Sequence, residues 1–200
     1  MEIGMETDSN LDAIRANFLE AKRVLNLFLD DSRAWEMFAG SGNLMVKALS
    51  QGKKIISCGN GGSMCDAMHF AEELSGRFRN DRPPLAAVAI SDPTHITCVA
   101  NDFGFSKVFS RFVDAIGQPG DVLLAISTSG DSPNIVEAAL SAKVLGMHVV
   151  ALTGKSGGKL AELADFEIRA PKSDYSDRVQ EIHIMVIHSL VQYIEQGLSL

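Results

Sequence analysis

Apolar positions near the beginning of the chain recur every three or four residues, the spacing of a helix with one buried face. This spacing predicts a first helix from Leu11 to Leu29, with Ser9 or Asn10 as its cap. A second helix is predicted from Ser32 to Leu49, although Ser41-Gly42 weakens the pattern in its middle. The two helices would form an N-terminal helical hairpin.

Beyond this helical part, short apolar runs alternate with loops of small residues and with further helical stretches. The runs are continuously apolar, which is typical of strands in a parallel sheet that is covered on both faces. The pattern therefore predicts an α/β fold. The predicted strands are Lys54 to Cys58, Leu85 to Ile90, Asp121 to Ile126, Met147 to Leu152 and Phe166 to Ala170. The predicted helices are Ser63 to Ser75, Ser132-Pro133 to about Gly146 with Ser132 as cap, and Ser176 to Gln196.

Two loops of this predicted sheet have the chemistry of phosphate binding. In parallel sheets ligands lie at the carboxyl ends of the strands, so the loops after Cys58 and Ile126 should share one rim. The loop from Ser127 to Ser132 places four hydroxyls before a helix, whose first N–H groups are unpaired and favour anions. Glycines in the loop from Gly59 to Ser63 let the backbone approach a ligand. Either loop alone is equally well read as a turn, but the two together favour a phosphorylated ligand.

A second group of polar residues lies on two predicted helices. His69 and Glu73 are four residues apart and share a helix face, where they could hold a metal or act as an acid–base pair. A local hydrogen bond on a solvent-exposed face is the alternative. The last helix adds Gln180, His183 and His188 within an apolar stretch. Gln180 and His188 are separated by about 12 Å along an ideal helix, so they could hold one ligand only by reaching towards each other. His183 and His188 are a competing pair that geometry alone does not exclude.

The composition excludes several function classes. The formal net charge is −7 and no cluster of Lys and Arg stands out, which argues against nucleic-acid binding. No run of apolar residues is long enough for a membrane span, and the N-terminal residues lack the pattern of a signal peptide. The three cysteines form no CxxC pair, so we expect reduced thiols and a cytoplasmic protein.

The remaining cysteines and histidines have simpler interpretations. Cys58 and Cys98 are expected to be small core residues, and Cys65 is not expected to be catalytic. His148 lies within a predicted strand and is expected to be packed, whereas His95 would lie at the start of a helix.

Several of these motifs together resemble those of a known family, and the likeness extends from about Leu11 to Glu195. The chain closely resembles the bacterial phosphoheptose isomerases, which are sedoheptulose 7-phosphate isomerases of the sugar-isomerase (SIS) domain superfamily. The motifs that carry the resemblance are the segments 57–63, 65–74, 100–105, 120–130, 152–155 and 178–183.

The resemblance implies a fold and a domain division. The fold would be a three-layer α/β/α sandwich of the SIS type, flavodoxin-like, with a five-stranded parallel sheet. Residues 51–200 would form the SIS domain. Residues 1–50 would be N-terminal helices of that same domain, which serve oligomerisation in a homotetramer whose active sites lie near subunit interfaces.

The resemblance also implies residue roles. Glu73 and His188 match the catalytic pair, and zinc, one ion per subunit, would be held by His69, Glu73, Gln180 and His188. The substrate phosphate would be held by Ser127, Thr128, Ser129 and Ser132. The sugar pocket would be lined by Asn60, Gly61, Gly62, Ser63, Asn101 and Asp102, with Arg77, Asp177 and Gln180 at further pocket positions, some from a neighbouring subunit.

The implied reaction is the isomerisation of D-sedoheptulose 7-phosphate to D-glycero-D-manno-heptose 7-phosphate through an enediol. This is the first step in making the ADP-heptose precursor of the lipopolysaccharide core. One alternative is a non-catalytic SIS protein that binds the replication initiator, but that relative lacks the Glu and the last His found here as Glu73 and His188. The other alternative is a SIS isomerase of another sugar phosphate.

Overall fold

Two long helices open the chain, as the apolar spacing predicts. The computed structural model describes the backbone from residue 3 to residue 200 and side chains from residue 9, so residues 1 and 2 of the N-terminal segment lie outside it. Helix α1 spans Ile3–Leu29 and helix α2 spans Ser32–Ser50. The first helix begins earlier than predicted, so Ser9 and Asn10 lie inside it and do not cap it.

Helix α2 continues through the residues that weaken its sequence pattern. The Asp31 carboxylate caps its start by accepting the N–H of Arg33 at 2.9 Å. Ser41 is buried and its hydroxyl donates to the carbonyl of Met37 at 2.7 Å, which is compatible with a helix. Gly42 lies against the Tyr193 ring, where a Cβ would be 2.5 Å from the ring carbon Cδ1. A close helix contact therefore explains the small residues here.

A five-stranded parallel sheet forms the centre of the molecule, which confirms the predicted sheet. Its order is β2-β1-β3-β4-β5. The second strand is shorter than predicted, and its partly buried residues fit its place at the sheet edge. The strands are β1 Ile55–Gly59, β2 Ala87–Ala89, β3 Val122–Ser127, β4 His148–Thr153 and β5 Phe166–Arg169.

Along each central strand, side chains point alternately to the two faces of the sheet, and each face has its own hydrophobic core. In β3, Leu124 faces the core that includes α2, whereas Leu123 faces the other. Helices cover both faces, which confirms the three-layer α/β/α arrangement. The helices after α2 are α3 Gly62–Ser75, α4 Pro93–Phe103, α5 Ser110–Ile116, α6 Pro133–Val144, α7 Gly158–Leu163 and α8 Ser176–Gly197, with one turn of 3-10 helix at Phe105–Lys107. No helix within residues 3–200 is both long and apolar enough to cross a membrane.

The sequence pattern predicts no bounds for helices α4, α5 and α7, although His95 is expected at the start of a helix. Helix α4 buries only Val99. Its start is nevertheless well marked, because the Asp92 carboxylate accepts the N–H of His95 at 2.8 Å. His95 therefore lies in the first turn of a helix, as expected.

Two expectations about packed residues are wrong. Cys98 is exposed on α4 because that helix turns little more than Val99 inwards, whereas Cys58 is fully buried as expected. His148 is the first residue of β4 and is exposed. Its Nδ1 lies 3.9 Å from the Asp165 carboxylate, at the amino end of the sheet, opposite the loops that follow β1 and β3.

Candidate active site

The loops after β1 and β3 meet at the carboxyl edge of the sheet, as the sequence predicts. The two strands are neighbours, with Gly59 opposite Ile126 in the parallel register. A cavity of about 280 Å³ lies between the loops. Its lining consists of Asn60, Gly61, Gly62, Ser63, Ile126, Ser127, Thr128, Ser132, Ser176 and Gln180. Both loops and the start of α8 thus form one pocket.

The loop from Ser127 to Ser132 is held in a tight turn by its own hydroxyls. The Ser127 Oγ accepts the N–H of Gly130 at 3.1 Å and lies 3.1 Å from the Ser132 Oγ. Ser132 occupies the cap position of α6, but its hydroxyl makes no hydrogen bond to the first helical turn. Ser132 is therefore the N-cap residue, as predicted, but its hydroxyl faces the loop and leaves the capping to the backbone.

The glycine-rich segment Gly154 to Gly158 packs against this turn. Gly130 has a φ of +73°, which favours glycine, and a Cβ there would overlap the carbonyl of Gly157. The carbonyl of Gly130 in turn accepts the N–H of Leu160 in α7 at 2.9 Å. The segment Gly154 to Gly158 is thus the packing partner of the hydroxyl loop.

The glycine loop after β1 is tied to two neighbours. The side chain of Asn60 exchanges two hydrogen bonds with that of Asn134, in the first turn of α6, at 2.8 and 2.9 Å. Gly62 begins α3 beside Gln180 of α8, where a Cβ on the glycine would be 2.6 Å from the Gln180 Nε2. The glycine is therefore needed for the close approach of the two helices.

Further along the contact between α3 and α8, two imidazoles and a carboxylate converge. The Nε2 atoms of His69 and His188 are 3.0 Å apart. The Glu73 Oε1 lies 3.3 Å from the His69 Nε2 and 3.9 Å from the His188 Nε2. One donor atom from each residue lies within 4.8 Å of the other two. Among the candidate pairs left open by the sequence, the structure thus brings His188 to His69 and Glu73.

The environment of Glu73 differs from that of the two histidines. The carboxyl side chain is 11% exposed, against 37% for His69 and 42% for His188. Burial raises the pKa of the Glu73 carboxyl, and the nearby His69 and His188 oppose this rise. Its second oxygen, Oε2, is buried and has no hydrogen-bond partner among the described residues. A buried carboxylate with one free oxygen is poised to accept a proton or a cation.

His183 is separate from this cluster. Its side chain is buried and its Nε2 donates to the carbonyl of Thr153 at 2.8 Å. Burial lowers the pKa of His183 to about 4, so the imidazole is neutral. The residue is a buried anchor between α8 and the end of β4.

Arg82 holds the end of α3 against α8, and no sequence motif indicates it. Its guanidinium is 3% exposed and its Nε lies 2.7 Å from the Glu195 Oε1 on α8. The Nη1 donates to the carbonyl of Leu74 at 2.7 Å, and the Nη2 donates to the carbonyl of Glu73 at 2.6 Å. These carbonyls belong to the last turn of α3, where they have no helical partner. Arg82 is one of three arginines between α3 and the Pro pair, and nothing in the sequence distinguishes it from the other two.

Other residues assigned by resemblance lie outside the pocket lining. Arg77 is exposed after α3. Asn101 and Asp102 are exposed at the end of α4, where the Asn101 side chain donates to the Asp102 carboxylate at 2.7 Å. Asp177 is exposed and pairs with Arg178 at 3.0 Å. The structure of one chain thus brings together the two loops, Gln180 and the cluster, but not these residues.

The comparisons with known proteins agree with this geometry. Residues 20–154 match the family model described as "SIS domain". The phosphoheptose isomerase of Glaesserella parasuis is 56% identical over 176 residues, which are 88% of this chain and 92% of that protein.

Solved structures are also similar. The structure of a phosphoheptose isomerase from Neisseria gonorrhoeae has a TM-score of 0.87 at 39% identity and covers 93% of this chain and 98% of its own. The structure of one from Francisella tularensis has a TM-score of 0.88 at 39% identity and covers 94% of this chain and 98% of its own. Because relatives of this similarity span nearly the whole chain, the protein belongs to the phosphoheptose isomerases of the SIS domain family.

Proposed function

We propose that the protein is an aldose–ketose isomerase that converts D-sedoheptulose 7-phosphate to D-glycero-D-manno-heptose 7-phosphate through an enediol. The observation that carries this proposal is the convergence of Glu73, His69 and His188 beside the pocket formed by the glycine and hydroxyl loops. Similar proteins named phosphoheptose isomerase support the choice of substrate.

The hydroxyl loop is the proposed phosphate site. Just before α6, the Ser127 Oγ lies 3.5 Å from the Ser129 Oγ and 3.1 Å from the Ser132 Oγ, and Thr128 lines the pocket. Backbone N–H groups and the positive end of this helix add to them. A formal net charge of −7 gives no overall attraction for a phosphate, so local donors must supply it.

The sugar would lie along the glycine loop towards the cluster. Asn60, Gly61, Gly62, Ser63 and Gln180 line the pocket next to the phosphate site. The cluster on α3 and α8 lies further along the same helices, which suits a substrate whose phosphate and carbonyl are at opposite ends of its carbon chain. Arg77, Asn101, Asp102 and Asp177 are proposed to complete the pocket, some of them from a neighbouring subunit.

Glu73 and His188 are the proposed acid–base pair. Glu73 removes the proton from C1, the C–H electrons form the C1–C2 double bond, and the carbonyl oxygen on C2 receives a proton from His188. In the second half, His188 takes the proton of the C1 hydroxyl, and Glu73 returns a proton to C2. The burial that raises the pKa of Glu73 makes it a stronger base than an exposed carboxylate.

The cluster also fits a zinc ion. Two imidazole nitrogens and a carboxylate oxygen are zinc ligands, and the unpartnered Glu73 Oε2 leaves one buried acceptor unsatisfied. We assign His69, Glu73 and His188 as ligands, and Gln180 as the fourth by resemblance. A bound zinc supplies Lewis-acid polarisation of the substrate carbonyl.

We also propose a cytoplasmic homotetramer that assembles through its helices. Large apolar side chains on α1 are exposed in the single chain, with Leu11 at 66% and Phe18 at 74%. An apolar groove between α1, α2 and α8 is lined by Trp35 and Met185 among others. Contiguous exposed apolar surface of this kind marks an interface. Free thiols and a phosphorylated substrate suit the cytoplasm.

The test is a coupled isomerase assay on the purified protein. Glu73→Gln removes the base but keeps the side-chain shape, so we expect turnover of sedoheptulose 7-phosphate to fall by about 10²- to 10⁴-fold. Glu137→Gln is the matched control, because this carboxylate is 38% exposed, pairs with Lys107, and lies on α6, which packs against the core on the other face of the sheet from α3. It should retain most of the activity. A wild-type rate in Glu73→Gln would remove Glu73 from the mechanism.

Two further arms of this assay test the substrate and the metal. Seven-, six- and five-carbon ketose phosphates are compared, and a preference for a shorter sugar would replace the proposed substrate. Metal content is measured before and after treatment with a chelator. Loss of activity that zinc restores supports the zinc assignment, whereas unchanged activity in verified metal-free protein would refute it.

A further inference from the structure

The side chains of Asn60 and Asn134 form a closed pair of amides that joins the two loops of the pocket. The Asn134 Nδ2 donates to the Asn60 Oδ1 at 2.8 Å, and the Asn60 Nδ2 donates to the Asn134 Oδ1 at 2.9 Å. Each amide thus offers one donor and one acceptor to the other. Turning one amide alone would place N–H against N–H, so the pair fixes both side-chain orientations.

The two partners differ in their access to a ligand. Asn134 is 2% exposed, and it is absent from the lining of the pocket. Asn60 is partly exposed and lines the pocket, and its amide retains a second N–H that the pair does not use. A ligand in the pocket can therefore touch Asn60, but it reaches Asn134 only through Asn60.

The pair also joins two segments that are far apart in the sequence. Asn60 begins the glycine loop after β1, and Asn134 lies two residues after Ser132 of the hydroxyl loop. A substrate that is held by its phosphate in one loop and by its sugar in the other needs a fixed separation between them. Misplacement of a bound substrate by about 1 Å can reduce the rate by about 10²-fold.

We propose that Asn134 is a positioning residue for the isomerisation, which holds Asn60 and the glycine loop at a set distance from the phosphate-binding hydroxyls. This assignment rests on the proposed isomerase function. Asn134 needs no contact with the substrate for this role. Its effect is to align the reactive end of the sugar with Glu73 and His188 while the phosphate stays in its loop.

A purely structural role for Asn134 predicts a different outcome. Two buried hydrogen bonds stabilise a fold wherever they occur, and their loss would then reduce stability without changing the kinetics of the folded enzyme. Inorganic phosphate separates the two roles, because it can fill the phosphate site without spanning the two loops. Its inhibition constant therefore reports on the hydroxyl loop alone.

The experiment compares three variants of the full-length protein. Asn134→Ala removes both hydrogen bonds, Asn134→Asp keeps only the acceptor, and Ile135→Val removes one methylene group from the next residue, which is fully buried and faces the core. Each variant is measured for kcat and KM with sedoheptulose 7-phosphate, for inhibition by inorganic phosphate, and for thermal unfolding.

For Asn134→Ala we expect kcat/KM to fall by about 10- to 100-fold, mainly in kcat, with phosphate inhibition within about twofold of wild type. Asn134→Asp keeps the acceptor for the Asn60 N–H but sets a second carboxylate oxygen against the Asn60 Oδ1, so it should lose about as much activity as Asn134→Ala. Ile135→Val should unfold at a lower temperature with wild-type kinetics.

Two results would overturn the assignment. If folded Asn134→Ala has wild-type kcat and KM, Asn134 has a structural role only. If phosphate inhibition weakens by as much as the activity falls, the defect lies in the hydroxyl loop itself. If Asn134→Ala does not fold, Asn134→Asp decides by the same criteria. Failure of the wild-type protein to isomerise the substrate would instead overturn the proposed function, and this assignment with it.

Discussion

The buried ion pair between Arg82 and Glu195 makes a quantitative prediction about stability. Their side chains are 3% and 13% exposed, and the charged atoms are 2.7 Å apart. Arg82→Met keeps most of the aliphatic length but leaves the Glu195 carboxylate without its partner. Removal of one partner of a buried pair costs about 3–5 kcal/mol, because the other charge stays desolvated.

The backbone contacts of the same guanidinium place the expected loss in the upper part of this range. The Glu73 carbonyl loses its donor at 2.6 Å, whereas the Leu74 carbonyl loses a donor at 2.7 Å but keeps the N–H of Leu85 at 2.9 Å. A buried acceptor left unpaired costs about 1–3 kcal/mol, although water can enter at the end of α3 and reduce this cost. We therefore expect Arg82→Met to reduce the free energy of unfolding by about 4–5 kcal/mol.

A matched control separates burial from simple loss of charge. Lys107 and Glu137 form an ion pair at 2.8 Å with side chains 44% and 38% exposed. Lys107→Met should cost less than about 1 kcal/mol, because exposed pairs contribute little. Adding Glu195→Leu to Arg82→Met removes the stranded charge and should restore part of the lost stability.

Equilibrium unfolding in urea measures these differences in stability. All variants are compared at the same protein concentration, because assembly would make the stability depend on concentration. Equal slopes of free energy against urea are needed for the comparison. A loss in Arg82→Met no larger than that in Lys107→Met would refute the argument, since it would mean that water screens the Arg82 site as it does the exposed pair.

Two other features make shorter predictions. Burial lowers the pKa of His183 from 6.5 to about 4, so between these pH values the unfolded chain binds a proton that the folded protein does not. Stability due to His183 therefore falls as the pH drops through this range, by about 3 kcal/mol in total, and His183→Gln should flatten this dependence relative to wild type. Urea unfolding from pH 4 to pH 7 measures this pH dependence of stability. The prediction would be contradicted if His183→Gln had the same pH dependence as His148→Gln, in which an exposed histidine is replaced. Gly130→Ala should weaken inhibition by inorganic phosphate, because its φ of +73° and its contact with Gly157 leave no room for a Cβ; inhibition equal to wild type would show that the loop can accommodate it.

Local sequence patterns predict most of the fold because its strands are buried on both faces. Runs such as Val122 to Ile126 are continuously apolar, and the small-residue loops after them mark the carboxyl edge of the sheet. Helix α4 buries little besides Val99, and the sequence pattern predicts no bounds for it. The same shallow burial explains why Cys98 is exposed although cysteine is usually a buried residue.

The site is predictable only where a motif places its residues close in sequence. The hydroxyl loop and the pair of His69 and Glu73 follow from local spacing, and the resemblance adds His188. The contact between Asn60 and Asn134 joins residues 74 positions apart, and that between Arg82 and Glu195 joins residues 113 apart. Nothing in the local pattern around Asn134 or Glu195 distinguishes it from an ordinary helical polar residue.

The contacts made by α8 explain how the Glu73 carboxylate, which has one oxygen without a hydrogen-bond partner in the described part of the chain, is kept in place. Three contacts follow one another along α8: Gly62 of α3 lies beside Gln180, Glu73 of α3 beside His188, and Arg82, in the segment after α3, beside Glu195. The outer two are a close glycine approach and a buried ion pair, and both fix the helices relative to each other. The middle contact contains a buried Glu73 oxygen without a partner, which costs stability where it occurs. Because the outer contacts restrain both helices, the carboxylate and the imidazoles cannot relax apart, and the unsatisfied acceptor remains available to a proton or a cation.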